Sequence, residues 1–425
     1  MRVAYAALTY LLLPLYALYF MLRGLGNRSY WDRLGQRFGL GYPALPEGTI
    51  WVHAVSVGEV QASAPLVTTL LERFPERPLL ITTVTPTGAE RARKLFGDAI
   101  THCYIPFETP TAVNRFFARL RPAFALIMET EIWPNLYRAC GIRGVPLVLV
   151  SARISPRSVG NYRRLLPLFR ETLSHGILIA AQSRADADRF LSLGANRERT
   201  WVTGNIKFDI ALPPELPAKG RALRAGLWPD RPAWIAASTH EGEETQVLDA
   251  HAAVLEAHPD ALLVLVPRHP QRFAAVASLL ERRGLDFRTR TSGEAPAAAT
   301  QVFLVDTMGE LPLFYAASDV AFVGGTLVPV GGHNLLEPGA LGLPVVTGPH
   351  LFNTQEIADM FAAAEASVSV DGPAALGRAV SGLLADAGRR ATTGERGRQV
   401  VERNRGSLDR LLVLLEPLIA ARDTR

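Results

Sequence analysis

The stretch Ile50-Trp-Val-His-Ala-Val-Ser-Val-Gly-Glu59 joins a short apolar run directly to the start of a helical pattern. The run Ile50–Ala54 is typical of a buried strand, and helical periodicity follows over Gln61–Phe74. A strand that leads into a helix in this way is the repeating unit of a parallel sheet with helices on both faces. Because the unit recurs along the chain, it decides the fold class, which we predict to be α/β.

Two series of such units are separated by Ala211–Pro217, where three prolines in seven residues indicate a linker. The further strands predicted before the linker are Leu79–Thr85, Phe124–Met128, Val145–Val150 and Gly176–Ala181, with a helix over Ser183–Leu193. Those predicted after it are Trp234–Ser238, Leu262–Val266, Val302–Val305, Val320–Val323 and Val345–Val346. We expect two Rossmann-like, doubly wound domains whose strand carboxyl ends face one ligand-binding cleft.

The predicted organisation has five parts. The last of them is a helix, predicted from the pattern over 394–421, which could pack back on the N-terminal half. The predicted parts are a membrane anchor at 1–24, an N-terminal domain at 25–210, the linker at 211–217, a C-terminal domain at 218–393 and a C-terminal helix at 394–425.

The N-terminal segment Val3–Leu22 has 20 residues without a charge, about 30 Å of helix and thus one hydrocarbon thickness. A cleaved signal peptide is disfavoured because no small-x-small cleavage site follows. The bases after the segment, from Arg23 to Arg37, outnumber Arg2 before it and favour a cytoplasmic body. An amphipathic helix in the membrane interface is the alternative, and it also places the body at the cytoplasmic face.

The charge is unevenly distributed between the halves of this chain, whose pI is about 9.4. Residues 1–210 hold 25 Lys and Arg against 15 Asp and Glu, and residues 211–425 hold 20 against 25. A basic half attracts either nucleic acid or an anionic membrane surface. The chain lacks a helix-turn-helix, zinc or aromatic-platform signature, so we expect a membrane surface and no nucleic acid.

Several enzyme classes are disfavoured by missing motifs. No G-x-G-x-x-G follows the first strand of either half, which argues against a dinucleotide-dependent redox enzyme. The nine histidines show no metal-ligand spacing, and Cys103 and Cys140 are interpreted as buried free thiols. Asp186-Ala-Asp188 matches a D-x-D metal motif, but it lies in the first turns of a predicted helix, where acids stabilise the helix dipole.

Acidic and basic side chains follow the predicted strands of the N-terminal half. Glu59 stands three residues after Ser56, so it either completes a capping box or serves as a general base. Glu129 and Glu131 share one face if their strand continues. Lys207 precedes the linker and is one of only three lysines beside 42 arginines, which favours a specific contact over a solvated position.

The C-terminal half carries three segments suited to an anion. Ser238–Glu244 opens a helix whose amides could hold an anion, although its glutamates also suit a plain helix start. Arg268 directly follows a buried strand and is suited to bind phosphate or carboxylate. Gly324–Thr326 and then Gly331–Glu337 form a glycine-rich approach to a helix, a pattern moderately specific for nucleotide binding.

Taken in order, these segments resemble the 3-deoxy-D-manno-octulosonic acid (Kdo) transferases of lipopolysaccharide assembly. The chain departs from the family pattern at Leu335, where proline is usual. The matching runs are SVGE (56–59), TPTG (85–88), METEIWPN (128–135), TGNIKFD (203–209), STHEGEE (238–244), PRHP (267–270), DTMGEL (306–311) and GGHNLLEP (331–338).

The resemblance implies a GT-B fold and transfer of Kdo from CMP-Kdo to the lipid A precursor, lipid IVA, at the cytoplasmic face of the inner membrane. It makes Glu59 the general base and lets Glu129 and Lys207 stabilise the transition state. It requires neither a metal nor a further cofactor. The residues it implies for CMP binding are Pro267, Arg268, Met308, Gly309, Glu310, Asn334, Leu335, Leu336 and Glu337.

Two alternatives remain open from the residues. The chain is either another GT-B transferase that uses a nucleotide-diphosphate sugar and a lipid acceptor, or a membrane-anchored nucleotide-binding protein without turnover. The expected partners are CMP-Kdo, a lipid A precursor and the anionic inner-membrane surface. A phosphorylated acceptor would explain the arginines between 153 and 170, a run without an acid.

Overall fold

The computed structural model describes residues 1–174 and 176–420, without the side chains of Arg157 and Ala420. The chain divides into two compact units. The first contains Met1–Asp209 together with the chain from Asn404 onward, and the second contains Ile210–Arg403.

Each unit is built on one parallel sheet, and seven strands of each lie in the described residues. The first sheet has the order β3-β2-β1-β4-β5-β6-β7, and the second has the order β10-β11-β9-β8-β12-β13-β14. The strands of the first sheet are β1 Ile50–His53, β2 Leu79–Thr83, β3 Thr101–Tyr104, β4 Phe124–Met128, β5 Leu147–Ala152, β6 Leu178–Ala181 and β7 Thr200–Val202. Those of the second are β8 Ala233–Thr239, β9 Leu262–Pro267, β10 Phe287–Thr289, β11 Val302–Leu304, β12 Val320–Val323, β13 Val345–Thr347 and β14 Ser367–Ser369.

Helices connect the strands and cover both sheets. In the first unit they are α1 Arg2–Gly26, α2 Leu34–Arg37, α3 Val57–Arg73, α4 Pro86–Phe96, α5 Pro110–Leu120, α6 Pro134–Ile142, α7 Pro156–Arg163, α8 Leu166–Leu173 and α9 Arg184–Ser192. In the second unit and the returning chain they are α10 Leu216–Leu227, α11 Glu243–Ala257, α12 Phe273–Arg282, α13 Leu311–Ala316, α14 Leu336–Ala340, α15 Gln355–Ala363, α16 Pro373–Ala385, α17 Ala387–Asn404 and α18 Ser407–Ala420.

Alternate residues of each central strand enter different hydrophobic cores. Trp51 belongs to the core on one face of the first sheet, whereas Ile50 and Val52 belong to the core on the other. A parallel sheet buried on both faces reads in sequence as a continuous apolar run, which is the pattern that predicted it. The predicted pair of doubly wound α/β domains is confirmed.

The strand order reverses at β1/β4 in the first sheet and at β8/β12 in the second. In an open α/β sheet the crevice outside the carboxyl ends of the strands at such a switch point is the usual ligand site. In this chain, Glu59 follows β1, Glu129 follows β4 and His240 follows β8. The topology therefore brings the motifs found in the sequence to the position where ligands bind.

The sequence did not indicate the edge strands β7, β10 and β14. Each has three residues, and each is at least partly exposed, so none produces a buried apolar run. The helix α10 begins at Leu216, inside the predicted linker, because Pro217 occupies its first turn, where a missing N–H costs nothing.

The helix predicted over 394–421 is two helices, α17 and α18. The break lies at Arg405 and Gly406, and Gly406 has a φ of +79°, which a helix cannot contain. The helix α18 contributes Leu411 and Leu415 to a core of the first unit. Residues 421–425 of the predicted C-terminal helix lie outside the described residues.

Asp209 attaches α18 to the first unit. Its Oδ1 accepts a hydrogen bond from the Gly406 N–H at 2.6 Å, and its Oδ2 accepts one from the Leu408 N–H at 2.7 Å. Arg410 Nε donates to the Thr203 carbonyl at 2.8 Å. Both ends of the TGNIKFD run, residues 203–209, thus hold the returning helix.

We expect Asp209→Ala to lower the free energy of unfolding by about 1–3 kcal/mol, because two helix-terminal N–H groups lose a charged acceptor. Thermal unfolding of the full chain measures the loss, and limited proteolysis should show new cleavage between Asn404 and Ser407. The matched control is Asp98→Ala, at an exposed turn. Equal effects of the two substitutions would contradict this role of Asp209.

Candidate active site

Glu59 lies in the first turn of α3, directly after β1. Its Oε2 accepts a hydrogen bond from the Val55 N–H at 2.8 Å. Ser56 is the N-cap residue, but its side chain makes no capping hydrogen bond. The capping box allowed by the spacing is therefore not formed, and the carboxylate is held by the loop that leaves β1.

The environment of Glu59 raises the pKa of its carboxyl group to about 7. Burial is the main cause, and the negative charges of Glu129 and Glu131 add to it. The Val55 hydrogen bond and the charge of Lys207 oppose the rise. A carboxyl group with a pKa near 7 is partly deprotonated at neutral pH and accepts a proton more readily than an ordinary carboxylate does. Both properties are required of a general base.

Glu129 is the buried anion beside Glu59. It follows β4 with a φ of +55°, and its side chain lies between two cations. Lys207 Nζ is 2.5 Å from its Oε1, and Arg153 Nε is 3.0 Å from its Oε2. Burial alone would raise the pKa of Glu129, but the charges of Lys207 and Arg153 outweigh it and lower the pKa.

Glu131 does not share a strand face with Glu129. The strand β4 ends at Met128, because the left-handed conformation of Glu129 turns the chain out of the sheet. The Glu131 Oε2 accepts a hydrogen bond from the Trp133 indole N–H at 2.7 Å, and burial raises the pKa of this carboxyl group. The three carboxyl groups of Glu59, Glu129 and Glu131 still form one electrostatically coupled cluster.

Lys207 is fixed by a short 3-10 turn over Ile206–Phe208. Asn205 accepts a hydrogen bond from the Lys207 N–H at 3.0 Å, and the Asn205 amide donates to the Gln182 Oε1 at 3.3 Å. The lysine side chain is 28% exposed. The expectation of a specific contact for this lysine is thus met by its ion pair with Glu129.

Arg268 belongs to the second unit, where it directly follows Pro267 at the end of β9. Its N–H donates to the Thr239 carbonyl at 3.0 Å, so the backbone is fixed. Within residues 1–174 and 176–420 its guanidinium has neither a hydrogen-bond nor an ion-pair partner. A half-buried, unpaired arginine at a strand end is suited to bind an anion.

Three histidines lie near enough to Arg268 to be affected by its charge. The His240 and His333 Nε2 atoms are 2.7 Å apart, and the His240 and His269 ring centroids are 5.3 Å apart. Burial lowers the pKa of His333 to about 3 and also lowers those of His240 and His269, and the Arg268 charge acts in the same direction on all three. The rings are neutral at pH 7, so each has one N–H donor and one nitrogen acceptor.

The Glu243 carboxylate accepts hydrogen bonds from several backbone N–H groups that the sequence analysis offered as anion-binding donors. Its side chain is fully buried and accepts hydrogen bonds from the N–H groups of His240, Gly325, Thr326 and Leu327 at 2.7–3.2 Å. The start of α11 and the Gly324–Thr326 loop therefore bind this carboxylate. The N–H groups of Gly325 and Thr326 are therefore already occupied and are not free for a phosphate.

The second glycine-rich segment keeps free donors. The backbone N–H groups of Asn334 and Leu335 have no hydrogen-bond partner in the described part of the chain. Asn334 Oδ1 accepts from the Leu336 N–H at 3.0 Å, and Asn334 Nδ2 donates to the Glu337 Oε1 at 3.2 Å. Leu335 and Leu336 bury their side chains, so they can contact a ligand only through the backbone.

Glu337 is coupled to the same group of side chains. Burial raises the pKa of its carboxyl group, whereas the Asn334 hydrogen bond and the Arg268 charge oppose the rise. The segments 238–244, 267–270 and 331–337 thus meet at the carboxyl ends of β8, β9 and β12.

Met308, Gly309 and Glu310 follow β11, which lies beside β9 in the sheet. Glu310 is bound by Arg290, with Nη2 2.8 Å from Oε1, and this hydrogen bond lowers the pKa of Glu310. Gly309 has a φ of +91°, a conformation that favours glycine. The Met308 side chain is exposed, whereas the Glu310 carboxylate is already paired with Arg290.

The sequence reasoning missed Arg153 as the second partner of Glu129, and it missed the histidines at 240, 269 and 333. Each histidine stands inside a motif that was found, so its place after a strand was the available signal. Among the described residues, no group of three or more His, Cys, Asp or Glu is arranged to hold a metal ion. Asp186 accepts hydrogen bonds from Ser183, the Ile154 N–H and Arg189, in keeping with a helix-start role.

The chain is similar over its length to known transferases. The family described as 3-deoxy-D-manno-octulosonic-acid transferase (kdotransferase) matches residues 32–210. A 3-deoxy-D-manno-octulosonic acid transferase of Haemophilus influenzae is 43% identical over 423 residues, which are 98% of this chain and 99% of the relative. One of Bordetella pertussis is 41% identical over 391 residues, 89% of this chain and 90% of the relative.

Solved structures share the architecture at low identity. The crystal structure of Anabaena HepE in complex with UDP has a TM-score of 0.52 and 14% identity, and the match covers 88% of this chain and 99% of that chain. UDP-GlcNAc 2-epimerase from Neisseria meningitidis has a TM-score of 0.53 and 15% identity, with 86% and 99% covered. At this identity the likeness shows the fold alone, and the predicted GT-B fold is confirmed.

We expect Lys207→Gln to lower the free energy of unfolding at neutral pH by about 2 kcal/mol, somewhat less than roughly 3–5 kcal/mol for a fully buried pair. The stabilisation exists above the ordinary carboxyl pKa of 4.5 and is lost as the pH falls through the lowered pKa of Glu129. Denaturant unfolding at several pH values should therefore show the variant and parent converging in acid. Lys219→Gln, in an exposed pair with Glu215, is the matched control and should change little.

Proposed function

The chain belongs to the 3-deoxy-D-manno-octulosonic acid transferase family, and we propose that it transfers Kdo from CMP-Kdo to a lipid A precursor, lipid IVA, during lipopolysaccharide synthesis. The chain is a glycosyltransferase. The observation that carries the proposal is Glu59, whose pKa is raised to about 7 beside the ionised Glu129–Lys207 pair.

Glu59 acts as the general base in this proposal. Transfer joins an acceptor hydroxyl to the anomeric carbon of Kdo, so the hydroxyl proton must leave as the new bond forms. The Glu59 carboxylate takes that proton. The neighbouring anions Glu129 and Glu131 favour the protonated product of this step, because they disfavour a charged Glu59.

Glu129 and Lys207 stabilise the transition state. The anomeric carbon becomes positively charged as CMP departs, and Glu129 stays ionised to offset that charge. Kdo carries a carboxylate beside that carbon, and the Lys207 ammonium is a suitable partner for it. The ion pair between the two residues keeps both charges in place before substrate binds, so little reorganisation is needed.

The second unit binds the donor. The unpaired Arg268 guanidinium and the free N–H groups of Asn334 and Leu335 bind the single phosphate of CMP-Kdo. Glu337 accepts hydrogen bonds from the ribose hydroxyls. The remaining CMP contacts come from Pro267, the backbone of Leu336 and the segment Met308-Gly309-Glu310.

The proposed transfer uses no divalent metal and no cofactor besides the donor substrate. One phosphate carries less charge than a diphosphate, so one arginine and a few amides offset the charge of the leaving CMP. The oxygens of Asp186, the first acid of the D-x-D run, are already engaged by Ile154, Arg189 and Ser183.

The basic N-terminal half supports the proposed acceptor and location. We place the enzyme at the cytoplasmic face of the inner membrane, where a phosphorylated glycolipid acceptor meets the exposed Arg163 and Arg164. Arg153 does not belong to this surface charge, because it binds Glu129. The side chain of Arg157 lies outside the described residues.

A donor assay tests the proposal. We expect the purified full-length chain with CMP-Kdo and lipid IVA in detergent micelles to release CMP and to yield a product heavier by one or more Kdo units, counted by mass spectrometry. The same mixture with UDP-N-acetylglucosamine should remain unchanged. Consumption of the UDP-sugar alone would instead support a nucleotide-diphosphate-sugar transferase. CMP binding without turnover would support a non-catalytic nucleotide-binding protein.

We expect Glu59→Gln to reduce kcat by at least about 100-fold, because the amide accepts no proton, while CMP binding stays unchanged. In the parent, kcat/KM should rise with pH through about 7 and then level off, since the base must be deprotonated. Glu72→Gln, at an exposed position of the same helix, is the matched control. A variant at position 59 with parental activity would remove Glu59 as the base.

A further inference from the structure

The helix α1 lies against the first unit from its first turn. Arg2 Nη1 is 3.4 Å from the Glu171 Oε1, and Tyr10 hydrogen-bonds Thr111. The Thr111 N–H also donates to the Tyr10 hydroxyl at 3.1 Å. The N-terminal half of the helix is thus attached to the body by polar contacts.

The C-terminal half of α1 is attached as well. Phe20 is buried, with its ring centroid 5.6 Å from that of Phe107 and 3.9 Å from the Arg37 guanidinium carbon. The Trp31 indole N–H donates to the Met21 carbonyl at 3.2 Å, and a Cβ on Gly24 would collide with this indole. Contacts therefore extend from Arg2 to Gly24, about 33 Å of helix at 1.5 Å per residue.

These contacts favour a helix that stays along the body over one that crosses the bilayer. The helix is long and apolar enough to do so, but it would carry its partners Glu171 and Thr111 into the hydrocarbon. Moving a charged group into the hydrocarbon is strongly unfavourable. An orientation in the plane of the interface leaves all of these groups in water or among headgroups.

The face of α1 that points away from the body is a continuous apolar stripe. The two most exposed leucines in it, Leu11 and Leu25, are each 73% exposed. A soluble surface rarely shows an apolar stripe of this length without a binding role. The stripe follows the 3–4 residue spacing of one helix face, and its members are Leu8, Leu11, Leu15, Leu18, Leu22 and Leu25.

Arginines surround a cavity beneath the first turn of α1. The cavity has a volume of about 230 Å³ and is lined by Arg2, Arg138 and Arg143 together with apolar and asparagine side chains, and no acidic residue lines it. Arg2 and Arg143 have partners in Glu171 and Asn114. Within the described residues the Arg138 guanidinium has none.

We propose that α1 lies in the plane of an anionic bilayer surface, with its leucine stripe among the acyl chains and a phospholipid phosphate bound by Arg138 in the cavity beneath its first turn. Charge complementarity selects this occupant over a second copy of the chain. Arginines stand at both ends of the helix, Arg2 at its start and Arg23 in its last turn, with Arg28 just beyond it, so two copies facing each other would bring like charges together. The inference rests on the proposed membrane attachment, not on the transfer reaction.

Topology is tested with two single cysteines in the full chain, one in an extension ahead of Met1 and one as Gly26→Cys, where a side chain meets open space. The native Cys103 and Cys140 are buried and do not compete. We expect both positions to react with a membrane-impermeant maleimide in inside-out vesicles and neither to react in intact spheroplasts. Reaction of the N-terminal extension in spheroplasts would show a spanning helix and overturn the proposal.

The phosphate contact is tested with full-length Arg138→Ala. Binding to vesicles containing phosphatidylglycerol should weaken about fivefold, the effect of one basic residue near an anionic surface. Arg138→Lys should retain part of the affinity, and the matched control Arg282→Ala, which removes one exposed arginine elsewhere, should change nothing. Equal affinities of Arg138→Ala and Arg282→Ala would overturn the phosphate site.

Two further readouts separate the possible outcomes. Kdo transfer to acceptor in detergent micelles should be the same in Arg138→Ala and in the parent, because no bilayer is involved. A parent without transfer in micelles would contradict the proposed function and leave the vesicle result intact. A parent that forms dimers in solution and binds no vesicles would assign the leucine stripe to a second copy.

Discussion

The buried carboxylate of Glu129 at the end of β4 is the constraint on which the first unit depends. A buried carboxylate is tolerated only when it is paired and hydrogen-bonded, so Lys207 and Arg153 must both reach it. Lys207 comes from the segment that also holds α18 through Asp209. The electrostatic needs of one side chain therefore join the site to the packing of the returning helix.

The second unit also contains a buried carboxylate, which is stabilised without a cation. Glu243 is fully buried, and four backbone N–H groups satisfy its oxygens. This leaves Arg268 unpaired nearby, in a unit that is acidic overall. In the first unit Glu129 is thus paired with two cations, whereas in the second unit the Arg268 guanidinium has no partner among the described residues. The net charge of either half does not reveal this difference, because it depends on which acids are already bound.

The sequence predicted the central strands and the motifs at their ends, because both follow from local patterns. Ile50–His53 and Phe124–Met128 are apolar on both faces, and the turns after them must carry the polar groups. The edge strands such as Thr200–Val202 were not predictable, since their half-exposed residues resemble loops. The pairing of Arg153 with Glu129 depends on how β5 lies beside β4, which a single sequence does not encode locally.

The helix α1 illustrates the same limit for membrane segments. Mean hydropathy averages over all faces of a helix. An uncharged run such as Val3–Leu22 therefore predicts a transmembrane helix even when one of its faces is packed against protein. What distinguishes a spanning helix from one in the interface is whether one face is already bound to polar protein. In this chain Tyr10 and Phe20 lie on that bound face, and the leucines lie opposite. If the contacts along about 33 Å of this helix are kept, moving the helix into hydrocarbon would take charged groups of the body with it, and hydropathy alone does not register that cost.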